Sequence, residues 1–167
     1  MPTAAFKGEA VNLTGPELKV GDDAPDFTLQ GTDMQDVTFE DFLSKTLIIA
    51  SVPSLDTSVC ALEAKRFNEE VAEEERVECL MVSMDLPFAA KRFCGAEGAD
   101  NIHAASDHRE ASFGKAYGTL IEGGPLDRVL TRAIFVVGPA GQIKHVEYCA
   151  EISEHPDYEA ALAAARS

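Results

Sequence analysis

Cys60 is the residue best placed for nucleophilic chemistry, because it follows a loop and begins a helical pattern. Cys60, Ala64, Phe67 and Val71 recur at offsets of four, three and four, as on the apolar stripe of a helix. The thiolate is the nucleophile, and a free thiol with a pKa near ~8.5 is mostly protonated at neutral pH. A helix N-terminus favours the thiolate by only ~0.3–1 kcal/mol, so a cation is also needed. From position alone, Cys60 is more ordinarily a buried core residue, and its neighbours decide against that.

Thr57 and Pro53 give the thiol an unusual setting. Thr57 stands three residues before Cys60, where a C-x-x-C oxidoreductase would have its second thiol. A hydroxyl there cannot form a local disulfide, but it can donate and accept hydrogen bonds, which suits a polar oxygen substrate. Pro53 would shield the thiolate from water without adding a competing donor. The alternatives are a plain helix cap for Thr57 and loop geometry alone for Pro53.

Three further cysteines complete the set: Cys79, Cys94 and Cys149. Cys79 lies within a strand pattern and Cys149 ends one, so we expect both to be structural. Cys94 alone is also an ordinary structural thiol, although the adjacent Lys91 and Arg92 would favour its thiolate. The absence of a C-x-x-C pair argues against a zinc ribbon or a dithiol motif.

No cofactor or metal site is predicted from the histidines or glycines. His145 and Cys149 are four residues apart on one predicted strand, and the resulting ~13 Å is too far for a shared metal. His103, His108 and His155 fall in or beside loops, where we expect surface positions. The sequence contains neither a glycine-rich phosphate loop nor an H-x-x-x-H pair.

The composition limits the class of partner. The 167 residues are 46% hydrophobic and carry a net charge of -15, which suits a single domain and disfavours nucleic acid and anionic lipid. The longest apolar run, about Leu47 to Ala50, is far shorter than the ~20 residues of a membrane span. Met1–Ala10 has no apolar signal core, so we expect a cytoplasmic protein with reduced cysteines.

Alternating strand and helix patterns predict an α/β protein with a thioredoxin-like fold, in which a central mixed β-sheet is flanked by helices. The apolar run Leu47–Val52 predicts a buried strand that feeds the Cys60 helix, Ser58–Arg76. The other predicted elements are a short N-terminal hairpin of Val11–Leu13 and Leu18–Val20, a strand Val77–Met84, a helix from Pro87 to about Cys94 stopped by Gly95, a helix Ala111–Tyr117 after a capping box of Asp107 and Glu110, an antiparallel hairpin of Ala133–Val137 and Gln142–Tyr148, and a last helix from Pro156 to near Arg166.

The pattern Pro53-x-x-x-Thr57-x-x-Cys60, after a buried strand and opening a helix, resembles the active-site signature of the peroxiredoxins. Further segments resemble the thiol peroxidase branch of that family, an atypical two-cysteine type. They are Pro53–Cys60, Asp85–Phe88, Arg92–Gly98, Tyr117-Gly118, Gly124–Leu126 and Arg132-Ala133. The resemblance therefore covers nearly the whole chain.

The resemblance implies a role for five residues. Cys60 would be the peroxidatic cysteine and Cys94 the resolving cysteine of the same chain, forming an intramolecular disulfide. Arg132 would support the thiolate and the peroxide, since arginine stays charged at any working pH. Thr57 and Pro53 would complete the pocket. The implied reaction reduces hydrogen peroxide and alkyl hydroperoxides to water and alcohols in a single thioredoxin-like domain, residues 1–167, with thioredoxin as reductant.

The resemblance also implies a homodimer, for which the sequence offers only spare apolar residues in loops, such as Leu120 and Ile121. Two other functions stay open at this point. One is a cysteine hydrolase that pairs Cys60 with a histidine, although no histidine lies in a segment expected nearby. The other is a thioredoxin-like redox-sensing binding protein with low turnover. For the peroxidase, we expect the reduced sulfurs of Cys60 and Cys94 to lie apart, so that the disulfide requires local unwinding.

Overall fold

The structure is a computed structural model that describes residues 3–167. Its strands are β1 Ala4–Phe6, β2 Glu9–Thr14, β3 Thr28–Gly31, β4 Asp36–Thr38, β5 Thr46–Ser51, β6 Val77–Ser83, β7 His103–Ser106, β8 Leu120–Glu122, β9 Ala133–Val137 and β10 Ile143–Tyr148. Its helices are α1 Ser58–Val71, α2 Pro87–Glu97, α3 Ser112–Tyr117 and α4 Tyr158–Arg166, with a 3-10 helix at Phe39–Phe42. No helix within residues 3–167 is long and apolar enough to cross a bilayer.

β5 is an interior strand of a seven-stranded sheet with the order β10-β9-β5-β6-β7-β3-β4. β5, β6 and β7 run parallel, whereas β9 pairs with β5 in the antiparallel sense. Every residue of β5 is buried, as expected for a strand covered on both faces. The prediction of an α/β thioredoxin-like fold with a central mixed sheet is therefore confirmed.

Alternate residues of β5 divide the core into two clusters. Ile48 and Ala50 face the cluster formed with α1, α2 and α4. Leu47 and Ile49 face the opposite cluster, which includes α3. Cys60 belongs to the first cluster, together with the rest of the apolar stripe predicted for α1. The stripe thus fixes α1 against the sheet and places its first turn beyond the end of β5.

The N-terminal hairpin exists, but the predicted turn at Gly15 and the predicted strand at 18–20 are wrong. β1 and β2 pair through a turn at Lys7 and Gly8, whose φ angles of 52° and 83° suit a two-residue hairpin turn. β2 then pairs with β8 in a second, three-stranded sheet of order β1-β2-β8. Gly15 serves a close approach instead, because a Cβ there would lie 2.2 Å from the carbonyl oxygen of Lys115.

Several predicted boundaries of helices are also corrected. α1 ends at Val71 rather than near Arg76. α2 continues past Gly95 to Glu97, because the stop is Gly98, which adopts the left-handed conformation at φ 62°. α4 begins at Tyr158, where the carboxylate of Asp157 caps the helix by accepting the N–H of Ala160.

Asp107 does not form the predicted capping box with Glu110. α3 begins only at Ser112, after Ala111 in the left-handed conformation. The buried Asp107 carboxylate instead accepts the N–H groups of Phe113 and Gly114, at 3.2 and 2.8 Å. Burial raises the pKa of Asp107 to about 6, against the lowering effect of these bonds.

Two of the strands that were not predicted are β7 and β8. His103 begins β7, and Leu120 and Ile121 form β8, where they are 1% and 0% exposed. The side chains of Leu120 and Ile121 are therefore buried within this chain and do not support the expectation of an exposed dimer contact.

Candidate active site

Cys60 lies in the first turn of α1 and is fully buried. Thr57 is the N-cap of this helix, and its hydroxyl oxygen accepts the N–H of Cys60 at 3.2 Å. The hydroxyl thus satisfies a donor that a helix N-terminus would otherwise leave unpaired. The structure places Thr57 in the cap role that the sequence offered as its alternative, directly beside the thiol.

Arg132 supplies the cation that the sequence argument requires. Its Nη1 atom lies 3.2 Å from the Cys60 sulfur, although the two residues are 72 positions apart. The sheet brings them together, because β9 pairs antiparallel with β5 and Ser51 lies opposite Ala133. The start of β9 and the end of β5 therefore meet at the same edge. The Arg132 side chain is only 1% exposed, so solvent screens its charge poorly.

Glu63 is a site residue that the sequence analysis missed. The same Nη1 atom of Arg132 donates to Glu63 Oε1 at 2.8 Å, and Glu63 is fully buried. Its other oxygen, Oε2, has no hydrogen-bond partner within residues 3–167. The available signal was spacing, since Glu63 follows Cys60 by three residues and shares its helix face.

The three groups form one coupled charge system. Burial raises the pKa of the Cys60 thiol, while the charge of Arg132 and hydrogen bonds from Thr57 and Arg132 oppose the rise. Burial also raises the pKa of Glu63 to about 7, although the charge and the hydrogen bond of Arg132 act to lower it. The thiolate in this enclosed site therefore depends on Arg132 for its stabilisation.

Asp85 holds the loop that precedes α1. Its carboxylate accepts the hydroxyl of Ser54 at 3.0 Å, the N–H of Leu55 at 2.8 Å and the hydroxyl of Ser83 at 2.8 Å. These bonds tie the loop between β5 and α1 to the end of β6. Asp85 is thus the second site residue without a predicted role, although its segment carried part of the family resemblance.

A cavity of about 360 Å³ lies against this group. Three of the five predicted site residues line it: Pro53, Thr57 and Arg132. Most of the remaining wall is apolar and comes from four separate parts of the chain: Phe6, Val59, Leu126, Val129 and Ile152. Cys60 is not among the residues that line this cavity, but Arg132, whose Nη1 atom contacts the sulfur, is one of them.

The family model described as Redoxin matches residues 19–162. The chain is 49% identical to the thiol peroxidase of Oceanobacillus iheyensis, over 97% of this chain and 97% of the relative. It is 42% identical to the thiol peroxidase of Bacillus subtilis, over 100% of this chain and 98% of the relative. The chain belongs to the thiol peroxidase family. It is accordingly a peroxidase, an enzyme of the oxidoreductase class.

Similarity to solved structures supports the assignment to this family. A peroxiredoxin-like protein from Aquifex aeolicus has a TM-score of 0.94 and 41% identity, over 99% of this chain and 96% of that chain. A thiol peroxidase from Chromobacterium violaceum has a TM-score of 0.86 at 24% identity, over 95% and 91%, which supports the fold alone. The thioredoxin-like peroxiredoxin fold is therefore common to this chain and to known members.

Cys94, the second cysteine expected at a thiol peroxidase site, lies near the end of α2 and is half-buried. All four cysteines are free thiols. The expectation that neighbouring cations favour its thiolate is wrong: burial and Asp100 raise the pKa of Cys94, and Arg92 pairs with Asp56 at 3.7 Å. Cys94 packs against the core cluster that contains Cys60.

Cys79 and Cys149 are both buried, as expected for structural thiols. Cys79 is packed in β6, where burial strongly raises its pKa. Burial raises the pKa of Cys149 to about 12. Neither thiol is poised to ionise near neutral pH.

Proposed function

We propose that the protein reduces hydrogen peroxide and alkyl hydroperoxides with Cys60 as nucleophile. The observation that carries this proposal is the 3.2 Å contact between Arg132 Nη1 and the Cys60 sulfur at the wall of a cavity. Cys60 is bonded to Arg132 and Thr57 rather than to a histidine, which disfavours the hydrolase alternative. The bonded histidines have other partners, for example Glu78 for His103.

The reaction follows from the positions of these groups. The Cys60 thiolate attacks one peroxide oxygen, an S–O bond forms and the O–O bond breaks. Sulfur is oxidised to a sulfenic acid, and the departing oxygen takes a proton to become water or an alcohol. Arg132 stabilises the thiolate and the negative charge that develops on the departing oxygen. The Thr57 hydroxyl lines the cavity where it can bond a peroxide oxygen.

The walls of the cavity bear on the peroxide that it accepts. Phe6, Leu126, Val129 and Ile152 offer apolar surface beside the polar groups at Arg132. An alkyl group would bury apolar area here at roughly 25 cal/mol per Å², which hydrogen peroxide cannot do. We therefore expect a lower KM for an alkyl hydroperoxide than for hydrogen peroxide.

We further propose that Cys94 resolves the sulfenic acid as an intramolecular disulfide. We expect bond formation to require movement, because Cys60 is fully buried at one helix start and Cys94 is half-buried near the end of another. A disulfide needs Cα atoms within ~7 Å. The first turn of α1 and the end of α2, which Gly98 terminates, are the segments expected to unwind.

Two cysteine variants test these assignments. Cys60→Ser should abolish peroxide reduction, because an alcohol is a far weaker nucleophile than a thiolate. Cys94→Ser should reduce one equivalent of peroxide and then stall, with Cys60 open to over-oxidation. Cys79→Ala is the matched control, a buried thiol outside the site that should keep full turnover. Activity above a few per cent in Cys60→Ser would contradict the proposal.

Amide hydrogen exchange tests the proposed movement. Residues 54–62 and 88–98 should lose protection when the reduced protein is converted to the disulfide form. The sheet strands should exchange equally in both states and serve as the internal reference. Equal protection of the two segments in both states would refute the unwinding step.

We propose a thioredoxin-type protein as the reductant and the cytoplasm as the location, because cytoplasmic thiol systems would return the disulfide to two thiols. Peroxide consumption coupled to thioredoxin tests this directly. Many rapid turnovers are expected, whereas a single slow equivalent would favour the redox-sensing alternative.

We propose that the protein forms a homodimer. Support comes from the family resemblance and from two large apolar side chains at the start of α2, Leu86 and Phe88, which are 50% and 70% exposed. Light scattering at micromolar protein should give the mass of a dimer, and Phe88→Glu should shift it towards the monomer. A monomeric mass for the unaltered protein would exclude the dimer.

A further inference from the structure

A backbone carbonyl accepts a hydrogen bond from the Nε atom of Arg132 and so helps to orient the guanidinium. Arg132 Nε donates to the carbonyl oxygen of Ile152 at 2.7 Å, and both residues are buried. The Nη1 atom of the same guanidinium is the one that contacts Cys60 and Glu63. Because the guanidinium is planar and rigid, the position of the Ile152 carbonyl sets where Nη1 lies relative to the sulfur.

The N-terminal hairpin in turn holds Ile152. The N–H of Ile152 donates to the carbonyl of Ala5 at 2.8 Å, and the N–H of Ala5 donates to the carbonyl of Ala150 at 2.9 Å. β1 therefore forms a short parallel bridge with the 150–152 segment. A chain of hydrogen bonds runs from β1 through Ile152 to Arg132 and Cys60.

The Glu151 carboxylate links the turn of the hairpin to the 150–152 segment. Its Oε1 accepts the N–H of Lys7 at 2.8 Å, and its Oε2 accepts the N–H of Gly8 at 3.2 Å. These two residues form the turn of the hairpin, with positive φ at both. One carboxylate thus holds the turn against the segment that supports Arg132. A three-residue strand at a sheet edge has few other bonds to keep it there.

We propose that Glu151 is a positioning residue for peroxide reduction, because it fixes the hairpin turn and thereby the Ile152 carbonyl that orients Arg132 toward Cys60. This inference rests on the role of Arg132 in the proposed function. Glu151 itself is not a lining residue of the cavity, but its Oε1 also accepts the hydroxyl of Ser153, which does line it, at 2.9 Å. An effect through Arg132 must therefore be separated from one through the cavity wall.

The test compares Glu151→Ala, Glu151→Gln and Asp41→Ala, with hydrogen peroxide as substrate so that the apolar wall is not probed. Asp41 is a matched control, because it is exposed and accepts the backbone N–H of Thr38, the last residue of β4, at the far edge of the seven-stranded sheet. Glu151→Ala should raise the apparent pKa of Cys60 and lower the second-order rate constant about five- to tenfold, within the ~100-fold that a 1 Å misplacement can cost.

Glu151→Gln should recover most of the rate, because its amide oxygen still accepts one of the two N–H groups. Asp41→Ala should match the unaltered protein. An unchanged rate and pH profile in Glu151→Ala, or no recovery in Glu151→Gln, would overturn the inference.

A double-mutant cycle separates this inference from the proposed function. In an Arg132→Ala background, adding Glu151→Ala should cause no further loss, because the group that Glu151 positions is already absent. The same five- to tenfold loss in that background would mean a general structural role and would overturn the inference. If Arg132→Ala alone left the rate unchanged, the proposed role of Arg132 would fail as well.

Discussion

Glu63→Gln is expected to change how the stability of the reduced protein depends on pH. Glu63 is fully buried beside Arg132, and burial raises its pKa from 4.5 to about 7. Glutamine has nearly the same shape and cannot ionise. The substitution therefore removes one buried titration and leaves the packing of α1 in place.

The direction in which the free energy of unfolding changes with pH depends on whether the folded or the unfolded chain holds the proton. Below about pH 4.5 the carboxyl is protonated in the folded and the unfolded chain alike. Between 4.5 and about 7 only the folded chain keeps the proton, so the free energy of unfolding falls as the pH rises. Above about pH 7 the carboxyl is ionised in both states, and the free energy of unfolding falls no further. At about 1.4 kcal/mol per pH unit, this window corresponds to about 3 kcal/mol.

Urea unfolding at pH 4.5 and pH 8 measures the effect. The stability of Glu63→Gln relative to its parent should rise by up to about 3 kcal/mol between these pH values. Both proteins should carry Cys60→Ser, so that ionisation of the thiol does not contribute. Glu69→Gln, an exposed position on the same helix, is the control and should show almost no such change. If Glu63→Gln and Glu69→Gln followed the same pH dependence, the assignment of a buried, proton-binding Glu63 would be refuted.

Three further predictions concern the site. Arg132→Ala should raise the pKa of Cys60 and slow peroxide reduction by roughly 100-fold or more, the usual cost of removing one transition-state donor, as a pH–rate profile would show. Asp85→Asn should lower the rate at neutral pH and increase amide exchange in the loop at residues 53–57, because a neutral amide oxygen is a weaker acceptor for Ser54 and Leu55. In the reduced native protein, a thiol reagent should leave Cys79 unmodified until denaturant is added, since that thiol is fully buried, and early labelling detected by mass spectrometry would contradict this.

The sequence predicted the parts of the site that depend on local spacing. Cys60 and Thr57 lie within one helix start, so the pattern around them is enough to place both. Arg132 came from the family resemblance, because no local pattern links residues 72 positions apart. The central strands were predicted as well, since a short apolar run between turn signals is visible without knowledge of its partners.

Glu63 and the N-terminal pairing could not be predicted in the same way. A glutamate in an acidic helix is usually solvated, and the burial of Glu63 follows from an arginine 69 positions away. The pairing of β2 with β8 joins segments more than 100 positions apart, so its register is absent from either segment alone. The helix boundary at Gly98 was missed because two glycines were available and only the structure shows which adopts positive φ.

The close approach of the backbones at Gly15 and Gly118 gives the hairpin a fixed base. A Cβ on Gly118 would lie 2.1 Å from the carbonyl oxygen of Pro16, so the two backbones touch where the hairpin leaves the body of the protein. β2 is anchored at this close approach and by its ladder to β8, whereas the turn at residues 7 and 8 depends on one carboxylate. Any loosening should therefore begin at the tip and stop at Asn12, where the ladder to β8 begins. Limited proteolysis would then cut first near residues 7–8, leaving the rest of the domain intact.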